Sequence, residues 1–253
     1  MKSMQTPLVS IITPVHNRRH ELEAVLASVR DQTRSDWEHL LVDDASSDGS
    51  GRLLDAWAAR DERFRPLHFD RNRGPARARN AAIEQARGRF IAFLDSDDHW
   101  APEKLARQIA FMHSHQVAFA YSAYDLEWPA SGRRRGVAPP PSVDYRRLLN
   151  ASVIATSTAI YDTAVTGKVF MPDIYKRQDL GLWLRLLRVV PRAHGQAENL
   201  AVIRKQAGSL SSNKLSALGY TWRLYREHEG LPAWRSAWHL GNSAVRAGLK
   251  YLG

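Results

Sequence analysis

The sequence predicts an α/β protein with a mostly parallel central sheet and helices on both faces. Apolar strand-like runs alternate with helical stretches through the first half, and this alternation places helices over both faces of a parallel sheet. The runs also end alike, in the polar tips TPVHN, VDDASSD and LDSDD. In such sheets ligands sit beyond the carboxyl ends of the strands, so the tips are expected to share one crevice.

In chain order, LVSIITPV (8–15) reads as a buried strand, and Leu22, Val25, Leu26 and Val29 then fall on one helical face. EHLLVDD (38–44) is the next strand. The helix after it carries Leu53, Leu54 and Trp57 inward, with Asp48 or Ser50 as its N-cap. FRPLHF (64–69) is a short strand. Gly74 and Pro75 open an alanine-rich helix over 76–87, which Gly88 is expected to stop. FIAFL (90–94) is a fully apolar strand. Beyond it, 101–113 is an amphipathic helix, 117–124 a strand, and WPASGRRRGVAPPPS (128–142) a mobile loop. VIATSTAIY (153–161) is strand-like, 179–190 helical with Trp183 in the core, and 199–204 a last strand. From about residue 212 the chain turns helical and aromatic. There Trp234, Ala237, Trp238, Gly241, Val245, Leu249 and Leu252 trace one apolar stripe, with Arg235, His239, Arg246 and Lys250 beside it. The expected division is a main domain over 1–211 and an amphipathic helical extension over 212–253.

At 253 residues, 44% hydrophobic and 25% charged, the chain has the composition of a soluble globular protein. It contains no cysteine, which excludes disulfides and thiolate metal sites. No apolar run is long enough to cross a bilayer, and the amino terminus lacks the apolar stretch of a signal peptide. A cytoplasmic location is therefore expected. The net charge of +10 favours anionic partners. Its basic residues are dispersed and form no recognised nucleic-acid module, so nucleic acid is not an expected partner. From Asn213 onward, six basic residues face only Glu227 and Glu229. This last stretch has three uses open to it: packing back on the domain, a homodimer contact, or contact with an anionic membrane at its inner face.

Asp95, Asp97 and Asp98 crowd a single strand end, where carboxylates repel one another. A divalent cation, Mg²⁺ or Mn²⁺, relieves that repulsion, since it takes one or two carboxylates plus phosphate oxygens of a substrate. The other use of these residues is a helix-capping loop. In VDDASSDGS, Asp44 is suited to a base or ribose, or to an Asx turn. Thr13 and Pro14 end the neighbouring strand and could border the same base.

Together TPVHN, VDDASSDGS, NRGPARARNAAIEQARGRFIAFLDSDD and RQDLGLWLRL resemble the inverting family 2 glycosyltransferases of the GT-A fold, in the family's order and over residues 7 to about 211. The resemblance implies that Thr13, Pro14 and Asp44 embrace the nucleotide base. It implies that Asn72, Gly74, Arg79 and Asn80 lead into the nucleotide site, with Arg79 near the phosphates. Asp95, Asp97 and Asp98 match the DxD-type element: Asp97 at ribose or metal, Asp98 the direct metal ligand. Asp179 matches the catalytic base, although its place before LGLWLRLLR also suits a helix N-cap. A nucleotide-sugar donor, a UDP-sugar, and a glycan or lipid-linked acceptor are implied, in bacterial surface polysaccharide or lipopolysaccharide assembly. Two positions depart from the family pattern: Gln178 replaces an acidic residue, and Gln206 stands where a His is usual. Arg204 and Ser209 remain as phosphate contacts. The departures keep open a nucleotide-binding protein without turnover. The other alternative, a sugar-phosphate nucleotidyltransferase, would carry a Gly-rich, Lys-bearing loop after the first strand, and TPVHNRRH is not one.

Overall fold

The computed structural model describes residues 6–205 and 214–249; Gln206 and Ser209 lie outside them. The first half builds a parallel sheet. Strand β1 (Val9–Val15) is followed by α1 (Arg19–Arg30), β2 (Trp37–Asp43) by α2 (Ser50–Ala58), β3 (Phe64–His68) by α3 (Pro75–Gln85), and then comes β4 (Phe90–Phe93). Strand β1 lies between β2 and β4, with Ile12 opposite both Leu40 and Phe93. The second half adds β5 (His99–Trp100), α4 (Lys104–Ser114), β6 (Phe119–Trp128), β7 (Arg133–Val137), β8 (Ser142–Val143), α5 (Tyr145–Asn150), a 3₁₀ turn at Thr156–Thr158, β9 (Ile160–Asp162), α6 (Thr163–Thr166), α7 (Gln178–Val189) and β10 (Ala193–Arg204). One sheet runs β3-β2-β1-β4-β9-β6-β10-β5. It is parallel from β3 through β4 and mixed beyond, where β9 runs against both β4 and β6 and β6 pairs parallel with β10.

Both faces of the sheet are covered, which explains why β1, β2 and β4 are buried at nearly every position rather than at alternate ones. Along β1 and β4 the side chains divide by parity. Val9, Ile11, Phe90 and Ala92 pack with α1, α2 and α4. Ile12, Ile91 and Phe93 pack with α3, α5 and α7, around the fully buried Trp183. The carboxy-terminal segment comprises α8 (Lys214–Arg223), a π-helical turn at Leu224–His228 and α9 (Ala233–Leu249). Leu224 and Tyr225 join the Trp183 core, and the Tyr225 hydroxyl donates to Leu149 O at 2.6 Å.

Several local expectations change. The Arg-rich stretch around 133–137 is not a loop but a strand paired antiparallel with β6, where Arg134 bridges Glu127. A side-chain ion pair and a ladder give this basic segment a partner that its Pro-rich flanks conceal. Only the end of 153–161 is extended, because Thr156–Thr158 coil into the 3₁₀ turn. Gly49, in left-handed geometry, occupies the N-cap of α2, rather than Asp48 or Ser50. Asp48 instead accepts from the backbone N–H groups of Arg19 and Ser50, at 2.9 Å each.

Helix α3 ends at Gln85, before Gly88. The need for glycine at 88 is close approach: a Cβ there would meet Ser10 N at 2.6 Å and Val9 C at 2.7 Å. Those atoms belong to a central strand and cannot yield. Gly88→Ala is expected to destabilise the protein by about 1–3 kcal/mol, read from its urea midpoint. An unchanged midpoint would mean that β1 can shift at its start.

Candidate active site

The tips of β1, β2, β4 and β10 and the start of α7 enclose a crevice of about 470 Å³. Pro14, Asp44, Asn72, Arg79, Asp95, Asp97, Asp98 and Asp179 all line it. Thr13 does not: it is fully buried beside β2, where its hydroxyl lies 2.8 Å from His39 Nε2. Burial drives that imidazole down to about 3, so the pair is neutral at ordinary pH. Asn80 is also withdrawn, since its amide clamps the backbone N–H and C=O of Met171. Arg77 faces the exposed Asp173 instead of the crevice.

Asp44, nearly fully buried, uses both oxygens to hold the approach to α3. Oδ1 accepts from Arg73 N–H at 2.6 Å and Oδ2 from Gly74 N–H at 2.8 Å. Gly74 therefore acts through its backbone, at φ 85°, where a side chain would strain the turn. Asn17 fastens the β1 tip to the β2 tip: its N–H donates to Ser46 Oγ and its Oδ1 accepts from Ser47 N–H. Asn17, Ala45 and Arg177 hold left-handed backbone without being glycine. Such positions each cost of order 1–3 kcal/mol and cluster where function needs a fixed shape.

The three aspartates of the β4 tip differ in kind. Asp95 pairs with Arg79 at 2.5 Å. Asp98 is buried, accepting from Ser157 Oγ at 2.6 Å and from Arg204 N–H at 3.0 Å. Asp97 is half-buried and makes no side-chain hydrogen bond to another described residue. Burial, reinforced by Asp95 and Asp97, holds Asp98 well above the usual carboxylate range; burial and then Asp95 raise Asp97. The capping alternative fails here, because α4 starts six residues beyond Asp98 with Glu103 at its N-cap. Ser157 also accepts from Asp95 N–H at 3.0 Å, so one hydroxyl spans the tip. Only tertiary folding brings Ser157 there, and no local pattern marks it.

Arg79 is buried, yet its Nε and Nη1 have no hydrogen-bond partner among the described residues. Such donors in a crevice wall suit an anionic ligand. Across from this acid and guanidinium cluster in sequence, Asp179 belongs to the first turn of α7 and not to its cap, which is Arg177. Its one side-chain contact among the described residues is Thr156 Oγ1 at 3.5 Å. Lys176, Arg177, Arg204 and Lys205 add positive charge to the wall; of these only Arg204 was marked by the sequence pattern.

A covered sheet whose acid tips crowd a nucleotide-sized crevice is the architecture of a GT-A glycosyltransferase. The chain belongs to the glycosyl transferase family 2, whose family model matches residues 10–167. It is 40% identical over 247 residues to TuaG of Bacillus subtilis, a glycosyltransferase named for teichuronic acid biosynthesis, covering 97% of this chain and 98% of TuaG. It is 36% identical to WfgD of Escherichia coli, a UDP-Glc:α-D-GlcNAc-diphosphoundecaprenol β-1,3-glucosyltransferase, over 87% of this chain and 85% of WfgD. Among solved structures, S. aureus TarS 1–349 with UDP-GlcNAc matches at a TM-score of 0.71 and 21% identity, covering 93% of this chain and 71% of TarS 1–349.

Proposed function

We propose that this glycosyltransferase inverts the anomeric centre of a sugar carried by UDP, transferring it to a hydroxyl of a lipid-linked glycan during bacterial surface polysaccharide synthesis. The observation that carries the reading is the meeting of Asp97 and Asp98 with a nearly unpartnered Asp179 in one crevice. The donor and lipid-linked acceptor in the name of WfgD, and the polysaccharide in that of TuaG, support the same substrates.

Chemically, the acceptor oxygen forms its bond to the anomeric carbon as the bond to the diphosphate oxygen breaks on the opposite face. Asp179 takes the acceptor's proton, a role worth about 10²–10⁴ in rate. Arg79, with two guanidinium nitrogens unpaired among the described residues, binds the diphosphate and stabilises charge gathering on it. Asp44 holds the 73–74 turn, and Asn72 and Pro14 border the nucleoside.

Among the described residues no three carboxylate or imidazole groups gather closely enough to hold an ion alone. The oxygen donors Asp97 and Asp98 nevertheless fit Mg²⁺ or Mn²⁺, which commonly takes one or two carboxylates and completes its shell with substrate phosphates. When bound, such an ion neutralises the leaving diphosphate.

UDP with Mn²⁺ is expected to raise the melting temperature. Ligand at about a hundred times its Kd adds about 2.7 kcal/mol, which is several degrees for a chain of this size. Asp97→Ala, which gives up no side-chain hydrogen bond to another described residue, should remove the Mn²⁺-dependent part of that gain. A panel of nucleotide sugars tested for transfer would identify the donor. No shift with any nucleotide would overturn the reading.

A further inference from the structure

Over its described side chains, Ala233 to Ser243, helix α9 packs with its polarity reversed. Its apolar residues Trp234, Ala237 and Trp238 face solvent, the two indoles being 68% and 67% exposed. Its polar side is what meets the protein: Ser236 is buried, His239 Nδ1 lies 2.9 Å from Asn150 Oδ1, and Asn242 donates to the same oxygen at 3.2 Å. Leu240 is half-buried. An ordinary surface helix buries its apolar stripe, and two large rings one turn apart in water mark a contact surface.

We propose that this outward face of α9 docks on an anionic lipid surface. Tryptophan favours the membrane–water boundary, where its ring enters the acyl edge and its N–H meets headgroups. Arg235 lies with its guanidinium 5.0 Å from the Trp234 ring, so the charge stands beside the indole at headgroup depth. The acidic residues of this segment are already engaged: Glu229 is buried against Arg188, and Glu227 pairs with Arg223. The patch is therefore apolar with Arg235 beside its indoles and the segment's two carboxylates paired elsewhere, complementary to anionic headgroups. Helix α9 also packs on α8, whose Ala217 lines the crevice. Docking thus holds the crevice near a lipid surface; the use of that position for a lipid-linked acceptor rests on the function proposed above, while docking itself does not.

The test is co-sedimentation of the full chain with phosphatidylcholine vesicles, with and without phosphatidylglycerol. Binding to the anionic vesicles is expected, and little to the neutral ones. Trp234→Ser with Trp238→Ser should weaken that binding by about ten-fold or more, and Arg235→Glu by about five-fold. All three side chains are exposed, so melting temperature and any UDP-induced shift should stay unchanged. Equal partition to both vesicle types, no partition, or undiminished partition of the double variant would overturn the proposal. A solution dimer that the double variant dissolves would overturn it too, by making a second copy the occupant.

Discussion

Asp179→Asn is expected to leave nucleotide binding intact and to lower transfer by about 10²–10⁴-fold. The substitution keeps the shape of the side chain and its long contact with Thr156 Oγ1, but an amide cannot take a proton at neutral pH. Because Asp179 is in the first turn of α7, the helix dipole favours its negative charge by about 0.3–1 kcal/mol, so the neutral variant loses only that much stability. The measurements are the UDP-induced rise in melting temperature, which should match that of the parent, and kcat with the donor that the panel identifies. Full kcat would dismiss Asp179 as the base. Loss of the UDP shift along with activity would instead make it part of the donor site.

How much of this site could be read from the sequence depended on whether a residue acts near its own strand end. Asp95, Asp97 and Asp98 follow FIAFL directly, and a strand in a doubly covered sheet can end only at the crevice or at the opposite edge. Their shared location therefore followed from the alternation of elements. Their differences did not, because these arise from partners far along the chain: Arg79 for Asp95, and Ser157 with Arg204 N–H for Asp98. Thr13 shows the converse. It belongs to the right tip, but strand parity points it at His39 instead of the crevice, and a single-residue step in parity is invisible in a strand buried on both faces. The basic stretch before β8 looked like loop for a similar reason, since its ladder partner β6 and its ion-pair partner Glu127 are tertiary facts. The stripe on α9 was legible as a stripe, whereas the side that would be buried was not: helical periodicity defines a face but leaves its partner unspecified.

Arg79→Met should weaken diphosphate binding by about ten- to a hundred-fold without lowering the stability of the nucleotide-free protein. Burying a guanidinium is costly, and Arg79 has one ion pair, to Asp95, while Nε and Nη1 go unmet. Replacing a whole buried ion pair with apolar side chains is often neutral or stabilising, whereas removing one partner destabilises when the other charge is left dry. The outcome turns on whether the abandoned carboxylate can be hydrated. Asp95 meets that condition, with a third of its side chain exposed. The same two unmet nitrogens supply charge-assisted bonds to a phosphate, worth about 1.5–3 kcal/mol each, so their removal falls on the ligand and not on the fold. Isothermal titration with UDP should register the weaker binding, and urea denaturation an equal or higher midpoint. If the midpoint fell while UDP affinity held, Arg79 would be a structural tie between α3 and the β4 tip, and the charge that meets the diphosphate would have to come from Arg177, Arg204 or Lys205 on the opposite wall.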